Sequence, residues 1–530
     1  MQLLSSEAIM GRRIGIVGAG ISGLLACKYA LTKGYHPIVF ESRNTVGGVW
    51  TQTLKTTKLQ TCKPFYQFSD YHWPSSVQTL FPDSQQVFDY FQSYANHFNL
   101  LKHIRFNTKV VSIKYEGPSD QDIQSWALWG GNGDPFGDKG KWIITTLDLL
   151  SQSIENNTQV MEVDFVILCL GRYSDVADMP EFPSGKGPDV FEGMVMHSME
   201  YSALDYENAR NLVNGKRVTV VGFQKSALDI TIECSNTNGV EHPCTIICRT
   251  PHWNATEFFP WKRLYSNRFS QLMLHKPGEG LVLNLLASVL SPLRWGMSKF
   301  VENDIKKKQP IEKYDMVPDH SFLQEMSSCS VATVPAGFYE NVEKGSIVLK
   351  RSKTFTFYKE GVLLDNNSTT HDHMEAIKCD LVIFATGFKG DQKLKDIFAS
   401  PGFQDCIFGS PSNTLPLYRE CVHPRIPQVA VIGFSESAAN LFTSEIRCRW
   451  LFELLDGKFK LPNIQEMEKD VLEWNKFMKR YSGKYFRRSC MGALHIWYYD
   501  QLCKDMGLNP NRKKGFWAEL FEPYGPSDYA

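Results

Sequence analysis

The chain has 530 residues, which is too long for one simple hydrophobic core, so two or more domains are expected. Basic and acidic residues number 57 each, so the net charge gives no reason to expect nucleic-acid binding. The 13 cysteines are scattered without a C-x-x-C pair, which argues against a zinc site, a disulfide framework and a dithiol redox centre. This cysteine usage favours a reducing compartment, and the first ten residues lack the pattern of a secretory signal.

The first predicted unit is a strand, a glycine-rich turn and a helix between Arg12 and Gly34. The turn reads G-x-G-x-x-G, the fingerprint of a dinucleotide-binding site. Its first glycine permits the tight turn, its second leaves room for a pyrophosphate, and its third lets the helix pack on the strand. The pyrophosphate would face the helix N-terminus, whose N–H groups and dipole favour an anion. The predicted contact residues are Gly18, Ala19, Gly20, Ile21, Ser22 and Gly23.

The second strand, residues 36–41, ends in an acid, Glu41, which is expected to accept hydrogen bonds from a ribose. A glycine pair and a tryptophan follow within ten residues, and the glycines let the backbone approach a ligand. A turn beside a core tryptophan is the alternative interpretation. The nearness of the second strand favours cofactor contact at Gly48, Val49 and Trp50.

Two apolar strands far apart in the chain both end in glycine, at residues 163–171 and 379–387. Ligands of doubly wound sheets lie at the carboxyl ends of the strands, where a glycine leaves room. The repetition suggests that the chain leaves a cofactor domain and re-enters it at corresponding edges. We therefore predict that Thr386 and Gly387 contact a cofactor, together with Val110 on a predicted strand at residues 109–113.

Between these strands lies a second nucleotide-binding pattern, residues 217–249. Its turn has glutamine at the second glycine position and alanine, an accepted variant, at the third. The following strand ends in Arg249, and a cation there suits the 2′-phosphate of NADP, whereas NAD would favour an acid. A solvated surface arginine is the alternative. The predicted contact residues are Gly222, Phe223, Gln224, Lys225, Ser226, Ala227 and Arg249.

The most membrane-like stretch, residues 281–293, is apolar except for one asparagine and two serines, and it is too short to span a bilayer. A buried helix or the wall of a substrate passage is the favoured prediction. A monotopic contact with a membrane surface is the alternative.

The segment from Phe191 to Tyr201 reads F-x-G-x-x-x-H-x-x-x-Y, which is the signature of flavin-containing monooxygenases. The chain resembles the plant members of this family from about residue 12 to about residue 457, and all their landmarks occur in order. The second turn, written G-x-x-K-S-A, is similar to that of the long plant members, including those that N-hydroxylate pipecolate. A tyrosine closes the signature, whereas Baeyer–Villiger relatives usually carry tryptophan there. His197 is expected to be structural.

The resemblance implies FAD and NADPH as cofactors, and a reaction in which O₂ adds to the reduced flavin to give a C4a-hydroperoxyflavin. A nucleophilic nitrogen or sulfur would then take one oxygen, so no metal is needed. Many animal members place an asparagine where Gln60 aligns, and the resemblance assigns the catalytic amide to Gln60. N-hydroxylation of a small amine such as pipecolate is the first expectation. Thioether S-oxygenation and YUCCA-like decarboxylation of indole-3-pyruvate are alternatives, and so is a non-enzymatic nucleotide-binding sensor.

The expected fold is α/β, with two Rossmann-like dinucleotide-binding domains and the NADPH domain inserted into a discontinuous FAD domain. The predicted boundaries are residues 1–204 and 336–530 for the two parts of the FAD domain, and residues 205–335 for the NADPH domain. A disulfide reductase of similar fold should carry a redox cysteine pair after the first turn, where Cys62 stands alone. The expected partners are a small amine or thioether and O₂, and the expected location is the cytoplasm, with peripheral contact to an internal membrane as an alternative.

Overall fold

The computed structural model describes residues 11–137, 140–151, 157–256, 261–365 and 374–529. The first ten residues, for which no secretory signal is predicted, lie outside these ranges.

The strands, in chain order, are β1 (Arg13–Val17), β2 (His36–Phe40), β3 (Ile104–Arg105), β4 (Thr108–Glu116), β5 (Lys141–Asp148), β6 (Thr158–Val163), β7 (Phe165–Leu168), β8 (Met194–His197), β9 (Val218–Val221), β10 (Cys244–Cys248), β11 (Ile347–Arg351), β12 (Phe355–Tyr358), β13 (Gly361–Asp365), β14 (Met374–Lys378), β15 (Leu381–Phe384) and β16 (Val429–Val431). The helices are α1 (Ile21–Thr32), α2 (Ser84–His97), α3 (Asp120–Ser125), α4 (Ser198–Ala203), α5 (Tyr206–Val213), α6 (Lys225–Asn238), α7 (Lys262–Tyr265), α8 (Arg268–Leu272), α9 (Leu281–Val289), α10 (Ser291–Lys308), α11 (Phe322–Ser327), α12 (Phe338–Lys344), α13 (Gly390–Asp396), α14 (Pro401–Phe408), α15 (Asn440–Leu455), α16 (Ile464–Ser482), α17 (His495–Asp505), α18 (Phe516–Phe521) and α19 (Pro526–Tyr529).

Two five-stranded parallel sheets organise the molecule. The first has the strand order β16-β7-β1-β2-β3, and the second has the order β11-β10-β9-β15-β8. In the first sheet, Ile16 of β1 lies opposite Val39 of β2 and Ile167 of β7, and all three side chains are fully buried. Central strands such as β7 and β9 are buried along their whole length, because helices cover one face of each parallel sheet and a three-stranded antiparallel sheet, β4-β5-β6 or β12-β13-β14, packs on the other. The predicted α/β fold with two Rossmann-like domains is confirmed.

The second sheet is inserted between parts of the first, but the predicted boundaries at residues 205 and 335 are wrong. Strand β8 lies before residue 205, and β11 and β15 lie after residue 335, yet all three belong to the second sheet. The strand at residues 379–387 was expected to return the chain to the first domain. Instead β15 pairs with β9 and β8, and β16 makes the return. Each sheet contains an apolar strand that is followed by a glycine. The repeated sequence pattern therefore could not show to which sheet each strand belongs.

The C-terminal helices complete the core of the first domain. Helix α15 packs against α1, and its Trp450 and Leu451 are fully buried. Ser22 of α1 and Ser444 of α15 share a hydrogen bond of 3.1 Å between their hydroxyl oxygens. The helix that follows the first turn is therefore fixed on one side by its strand and on the other by α15.

A disulfide joins Cys329 to Cys490, contrary to the argument from cysteine spacing. The two residues are 161 positions apart in the sequence. Cys329 follows α11, near the second domain, whereas Cys490 precedes α17. The fold alone brings them together, so the spacing of cysteines along the chain gave no signal.

Residues 281–289 form helix α9 and residues 291–293 begin α10, but α9 is not the buried helix that the sequence favoured. Within α9 only Ala287 is buried. Among the described residues no single helix is long and apolar enough to cross a membrane, while α9 and α10 pass that test only as a pair bent by 47°.

Candidate cofactor and substrate site

The first turn, residues 18–23, has the backbone geometry that its glycines predict. Gly18 has a φ of +101°, and a Cβ there would lie 2.5 Å from the carbonyl oxygen of Cys169. A Cβ on Gly23 would lie 1.8 Å from the carbonyl oxygen of Gly18, so only glycine lets α1 pack this closely on the turn. A Cβ on Gly20 would lie 3.4 Å from the Cα of Gly48. Any longer side chain at Gly20 would therefore fill the space beside the turn.

Glu41, at the end of β2, holds the first turn through its carboxylate. One carboxylate oxygen accepts the backbone N–H of Ala19 at 2.7 Å, and the other accepts the N–H of Arg43 at 2.9 Å. The side chain is buried beside the turn. A carboxylate oxygen has a second lone pair, so these bonds are compatible with the predicted contact to a ribose.

The segment that carries Gly48, Val49 and Trp50 lies directly against the first turn. The N–H of Gly47 donates to the carbonyl oxygen of Ala19 at 3.1 Å. The guanidinium of Arg43 donates to the carbonyl oxygen of Gly48 at 2.5 Å. Trp50 donates its indole N–H to the Tyr66 hydroxyl at 3.1 Å and packs on the core, as the structural alternative predicted. Val49 is exposed and lines a cavity that lies between the two domains.

Ile21 and Val110 are the remaining predicted residues near the first turn. Ile21 begins α1 and packs partly buried against the core. Val110 is also partly buried, in β4, where a bulge interrupts the pairing with β5. Their contact with a cofactor stays a prediction.

The helices that follow the two turns begin in the same way. Neither α1 after Gly20 nor α6 after Gln224 has a side chain that accepts from its first N–H groups. Some helices elsewhere, such as α2 and α5, carry such a cap, while others, such as α9 and α15, do not. The first-turn N–H groups of α1 and α6 are open to an anion, and the tight glycine turn before each helix is what favours a pyrophosphate there.

The second turn, residues 222–227, repeats the tight geometry with different side chains. Gly222 has a φ of +131°, and a Cβ there would lie 2.4 Å from the carbonyl oxygen of Ala385. Phe223 and Ala227 are buried, and the Phe223 carbonyl accepts from the Asn254 amide at 3.3 Å. The Gln224 amide donates to the carbonyl oxygen of Ser330 at 3.0 Å.

The cationic residues predicted to bind NADPH differ in their surroundings. Lys225 forms an ion pair of 2.5 Å with Asp229, one turn later on α6. Burial raises the pKa of Asp229, and the Thr57 hydroxyl also donates to this carboxylate. Arg249 is exposed at the end of β10 and has no hydrogen-bond or ion-pair partner among the described residues. Ser226 is exposed as well. Arg249 is thus available for a phosphate, while Lys225 already has an anionic partner.

A cavity of about 740 Å³ lies between the two domains. Part of the predicted set lines it: Val49, Gln60, Gln224, Lys225, Ser226, Arg249, Thr386 and Gly387. The residues of the first turn, Glu41, Gly48, Trp50 and Val110 lie outside this lining, as do Gly222, Phe223 and Ala227. The predicted NADPH-contact residues Gln224 to Ser226 and Arg249 therefore line the same cavity as Gln60, whereas the first turn does not line it.

Gln60 stands where the two domains meet. Its side-chain oxygen accepts the backbone N–H of Thr333 at 2.9 Å. Thr333 belongs to the same segment as Ser330, which binds Gln224. One strap, residues 329–333, therefore connects the candidate catalytic residue with the second turn. Thr61, the next residue, donates its hydroxyl to the carbonyl oxygen of Ala438 at 3.1 Å and joins the C-terminal part of the wall.

The signature segment has a structural role in this fold. His197 begins α4, where its Nδ1 accepts the N–H of Met199 at 3.1 Å, and burial lowers the pKa of the imidazole. Tyr201 is buried and donates to Glu233 at 3.0 Å. A Cβ on Gly193 would lie 2.6 Å from the carbonyl oxygen of Asp380, next to β15. These contacts support the expectation that His197 is not a general base.

An ionic wall on the cavity was missed by sequence reasoning. Arg487 donates to Glu436 at 2.9 Å and to the Tyr173 hydroxyl at 3.1 Å. Arg172 pairs with Asp391 at 2.7 Å, and its guanidinium lies 4.0 Å from Glu436. Arg172 directly follows Gly171, the glycine after strand β7. This position was the only sequence signal for the ionic wall. The residues at 436 and 487 carry no motif.

A second missed cluster lies behind Arg249. Glu325 is buried, with one carboxylate oxygen 2.8 Å from His252 Nδ1 and the other in contact with His320 Nε2. The N–H of Trp253 also donates to it at 3.0 Å. The pKa of Glu325 is lowered to about 2, because these hydrogen bonds and the two histidines outweigh the burial. The atoms of His252, His320 and Glu325 that could bind a metal ion lie within 4.8 Å of one another. In this geometry the Glu325 carboxylate instead holds the two histidines.

Comparison with known proteins assigns the family. The family model described as flavin-binding monooxygenase-like matches residues 11–519. The Arabidopsis thaliana protein named "Probable flavin-containing monooxygenase 1" is 38% identical over 531 residues, which cover 99% of this chain and 97% of that protein. The rabbit flavin-containing monooxygenase 5 (Oryctolagus cuniculus) is 26% identical and covers 94% of this chain and 84% of its own.

The fold is similar to that of a solved structure, OTEMO in complex with FAD and NADP, with a TM-score of 0.64 at 18% identity, covering 93% of this chain and 97% of that chain. FAD and NADP are the ligands of that solved structure, and the similarity to it concerns the fold. The chain belongs to the flavin-binding monooxygenase-like family and is a flavin-containing monooxygenase.

Proposed function

We propose that this monooxygenase N-hydroxylates a small amine that carries a carboxylate, with pipecolate as the first candidate. The ionic wall of Arg172, Glu436 and Arg487 is the observation behind the proposal. An amino acid brings one cationic and one anionic group, and a wall with both signs offers a partner to each. An amine without a carboxylate would leave Arg487 and Arg172 with only their partners in the chain, Glu436 and Asp391.

The cofactors supply the oxygen-transfer chemistry when bound: NADPH reduces the flavin, and the reduced flavin activates O₂. The residues of the chain position and shield the reactants. The amide oxygen of Gln60 accepts the backbone N–H of Thr333, so its amide N–H groups remain as donors toward the cavity. Arg487 would bind the carboxylate of the substrate and Glu436 its ammonium group. The ammonium must release one proton to water before oxygen transfer, because only the neutral amine has a lone pair on its nitrogen.

S-oxygenation of an amino-acid thioether is the second candidate, because the same wall would hold the same two charged groups. Decarboxylation of indole-3-pyruvate is less well supported, since this acid has no amine for Glu436. The decisive experiment incubates purified enzyme with NADPH, O₂ and a panel of pipecolate, tryptamine, an amino-acid thioether and indole-3-pyruvate, with products followed by mass. One oxygen gained by pipecolate supports the first candidate. Oxygen found only on the thioether, or loss of CO₂ from the indole acid, rejects it.

An Arg487→Gln variant tests the ionic wall itself. Losing a charge-assisted contact costs about 1.5–3 kcal/mol, which is roughly 10- to 150-fold in affinity. We expect the KM for pipecolate to rise by about that factor. The flavin-reduction rate with NADPH and the low turnover of tryptamine, which has no carboxylate, serve as internal controls and should change little. A parallel loss for both amines would indicate damage to the fold and not the loss of a substrate contact.

A further inference from the structure

Helix α9 is inverted with respect to a core helix. It meets the protein through Ala287, its only buried residue, while Asn284 is half-buried and donates to the carbonyl oxygen of Glu279 at 2.9 Å, and the exposed Ser288 hydroxyl lies 3.0 Å from His275 Nε2. Its large apolar residues face outward with exposures between 37% and 89%: Leu281, Val282, Leu283, Leu285, Leu286 and Val289. A water-facing helix of this composition leaves apolar area exposed that folding could otherwise have buried.

The exposed surface continues over two further helices. Leu293, Trp295 and Phe300 of α10 are exposed. Helix α18 exposes Phe516 and Trp517, each at 71%. Both α9 and α18 pack on the short helix α8, and the rings of Phe269 and Phe521 lie 5.0 Å apart there. We call these outward residues of α9, α10 and α18 the apolar face.

We propose that the apolar face inserts into one leaflet of a lipid bilayer that contains anionic lipids. On α9 the outward residues span about 200° of the helix circumference at 100° per residue. A flat protein partner covers a narrower stripe and would leave the flanks wet, whereas lipid chains surround a protruding helix on all exposed sides. The nearly complete exposure of Leu281 and Val282, at 89% and 81%, matches side chains that penetrate a fluid phase.

Length and charge agree with attachment to one leaflet. Nine residues of α9 make a helix of about 13 Å, which is less than half of the roughly 30 Å hydrocarbon core. Exposed tryptophans at the rim suit the boundary between lipid chains and headgroups. The surrounding segments, residues 273–300 and 511–522, carry six basic and three acidic residues, but Lys276, Lys299 and Lys513 are paired with Glu279, Glu302 and Asp528, so the exposed Lys514 is the clearest contact for an anionic headgroup. The basic residues are Lys276, Arg294, Lys299, Arg512, Lys513 and Lys514, and the acidic residues are Glu279, Glu519 and Glu522.

The attachment has a structural connection to the cavity. Tyr265 and Ser266 line the cavity, and α8, which supports both α9 and α18, begins two residues later. The backbone N–H of Tyr524, beyond α18, donates to the carbonyl oxygen of Ser266 at 2.6 Å. The lipid-facing helices and the wall of the cavity are therefore one packed unit.

Vesicle flotation of the full-length enzyme tests the proposal. The probes are vesicles of phosphatidylcholine alone and of phosphatidylcholine with one-third phosphatidylserine. We expect the wild type to float with the mixed vesicles, and the triple variant Leu281→Gln, Val282→Gln, Leu285→Gln to partition at least ~10-fold less, because three apolar side chains no longer enter the lipid. Leu472→Gln, at another exposed apolar position on a helix, is the matched control and should float like the wild type.

Flavin content and NADPH oxidation establish that each variant is folded. Brominated lipids should quench tryptophan fluorescence in the wild type, and the Trp517→Phe variant should lose part of that quenching. Failure of the wild type to float, or equal flotation of the triple variant, overturns the proposal. A wild type that ignores vesicles but forms dimers lost in the triple variant would also overturn it and assign the face to a second copy of the chain.

Discussion

The two glycine turns share one backbone design but differ in what closes over them. The first turn is covered by backbone: the Gly47 N–H binds Ala19, and Gly48 lies against Gly20. The second turn opens on the cavity between the domains, and Gln224, Lys225 and Ser226 line that space. The difference matches two kinds of ligand. FAD is a resident cofactor held through many turnovers, whereas NADPH must bind and leave.

Side chains supply the predicted ligand contacts of the second turn, whereas backbone atoms supply those of the first. In the first turn, three glycines and the Glu41 carboxylate fix the shape, and the nearby Arg43 guanidinium donates to the Gly48 carbonyl oxygen. In the second, Arg249 stands unpaired among the described residues at the cavity wall. We therefore expect the first site to fail through steric change and the second through loss of charge.

The largest effect is expected for Gly20→Val. The added side chain would occupy the space between the turn and Gly48, where the nearest atom is already 3.4 Å from an ideal Cβ. We expect purified protein that is largely free of flavin, measured as flavin absorbance per mole of chain. Gly296→Val is the control, because a Cβ there meets no atom within 4 Å. A normal flavin spectrum in Gly20→Val would remove the first turn from the FAD site.

Loss of charge at the second site should have a smaller and more selective effect. Arg249→Ala should weaken NADPH binding by roughly 10- to 150-fold, since one charge-assisted contact of about 1.5–3 kcal/mol is lost. Binding of NADH, which has no 2′-phosphate, should change little, and flavin content should stay normal. Stopped-flow flavin reduction with both nucleotides measures the ratio. An unchanged NADPH/NADH ratio would show that Arg249 does not contact the phosphate.

The local part of this contrast was predictable from sequence, and the long-range part was not. Gly18 and Gly222 have a positive φ and Gly23 has no room for a Cβ, so a short local motif is enough to predict these positions. The ionic wall joins Arg172 to Glu436 and Arg487 across hundreds of residues, and nothing in the local pattern of any of them signals the others. For α9, composition predicted the helix but not which side would face water.

The Lys225–Asp229 pair offers a test of whether Lys225 acts on NADPH or on the fold. Lys225→Met leaves a buried carboxylate without its cation, so the free energy of unfolding at neutral pH should fall by about 1–3 kcal/mol. Changes in NADPH affinity should be smaller than for Arg249→Ala. The double variant Lys225→Met, Asp229→Asn should recover most of the stability, because no buried charge remains. A stable single variant with strongly weakened NADPH binding would assign Lys225 to the phosphate.

The loss of stability in the Lys225→Met variant should depend on pH. Burial raises the pKa of Asp229 in the folded state above its unfolded value, so the folded state binds the proton more tightly. The penalty for this carboxylate is therefore present at high pH and is relieved as pH falls through the folded pKa toward the unfolded one. We expect the stability deficit of Lys225→Met to shrink on acidification, as measured by urea unfolding at several pH values. A deficit independent of pH would contradict this explanation.

The smallest effect is expected at Gln60, which connects the two sites. Gln60→Asn shortens the side chain and weakens the bond to the Thr333 N–H, a loss of about 0.5–1.5 kcal/mol. We expect flavin and NADPH binding to stay near normal, while the yield of oxygenated product per NADPH falls several-fold and H₂O₂ rises. Product and peroxide assays on the same samples measure the coupling. Full coupling in Gln60→Ala as well would exclude a catalytic role for the amide.

The central claim is that one oxygen atom passes from O₂ to a substrate held between the two cofactor sites. It is tested most directly by turnover of pipecolate under isotopically labelled O₂ in ordinary water, with NADPH as the reductant and catalase present. The account predicts N-hydroxylated product that carries the heavy oxygen, formed in proportion to NADPH consumed, and no product from Gly20→Val. Product that takes its oxygen from water, or NADPH consumption that yields only H₂O₂ with every amine and thioether tried, would contradict it.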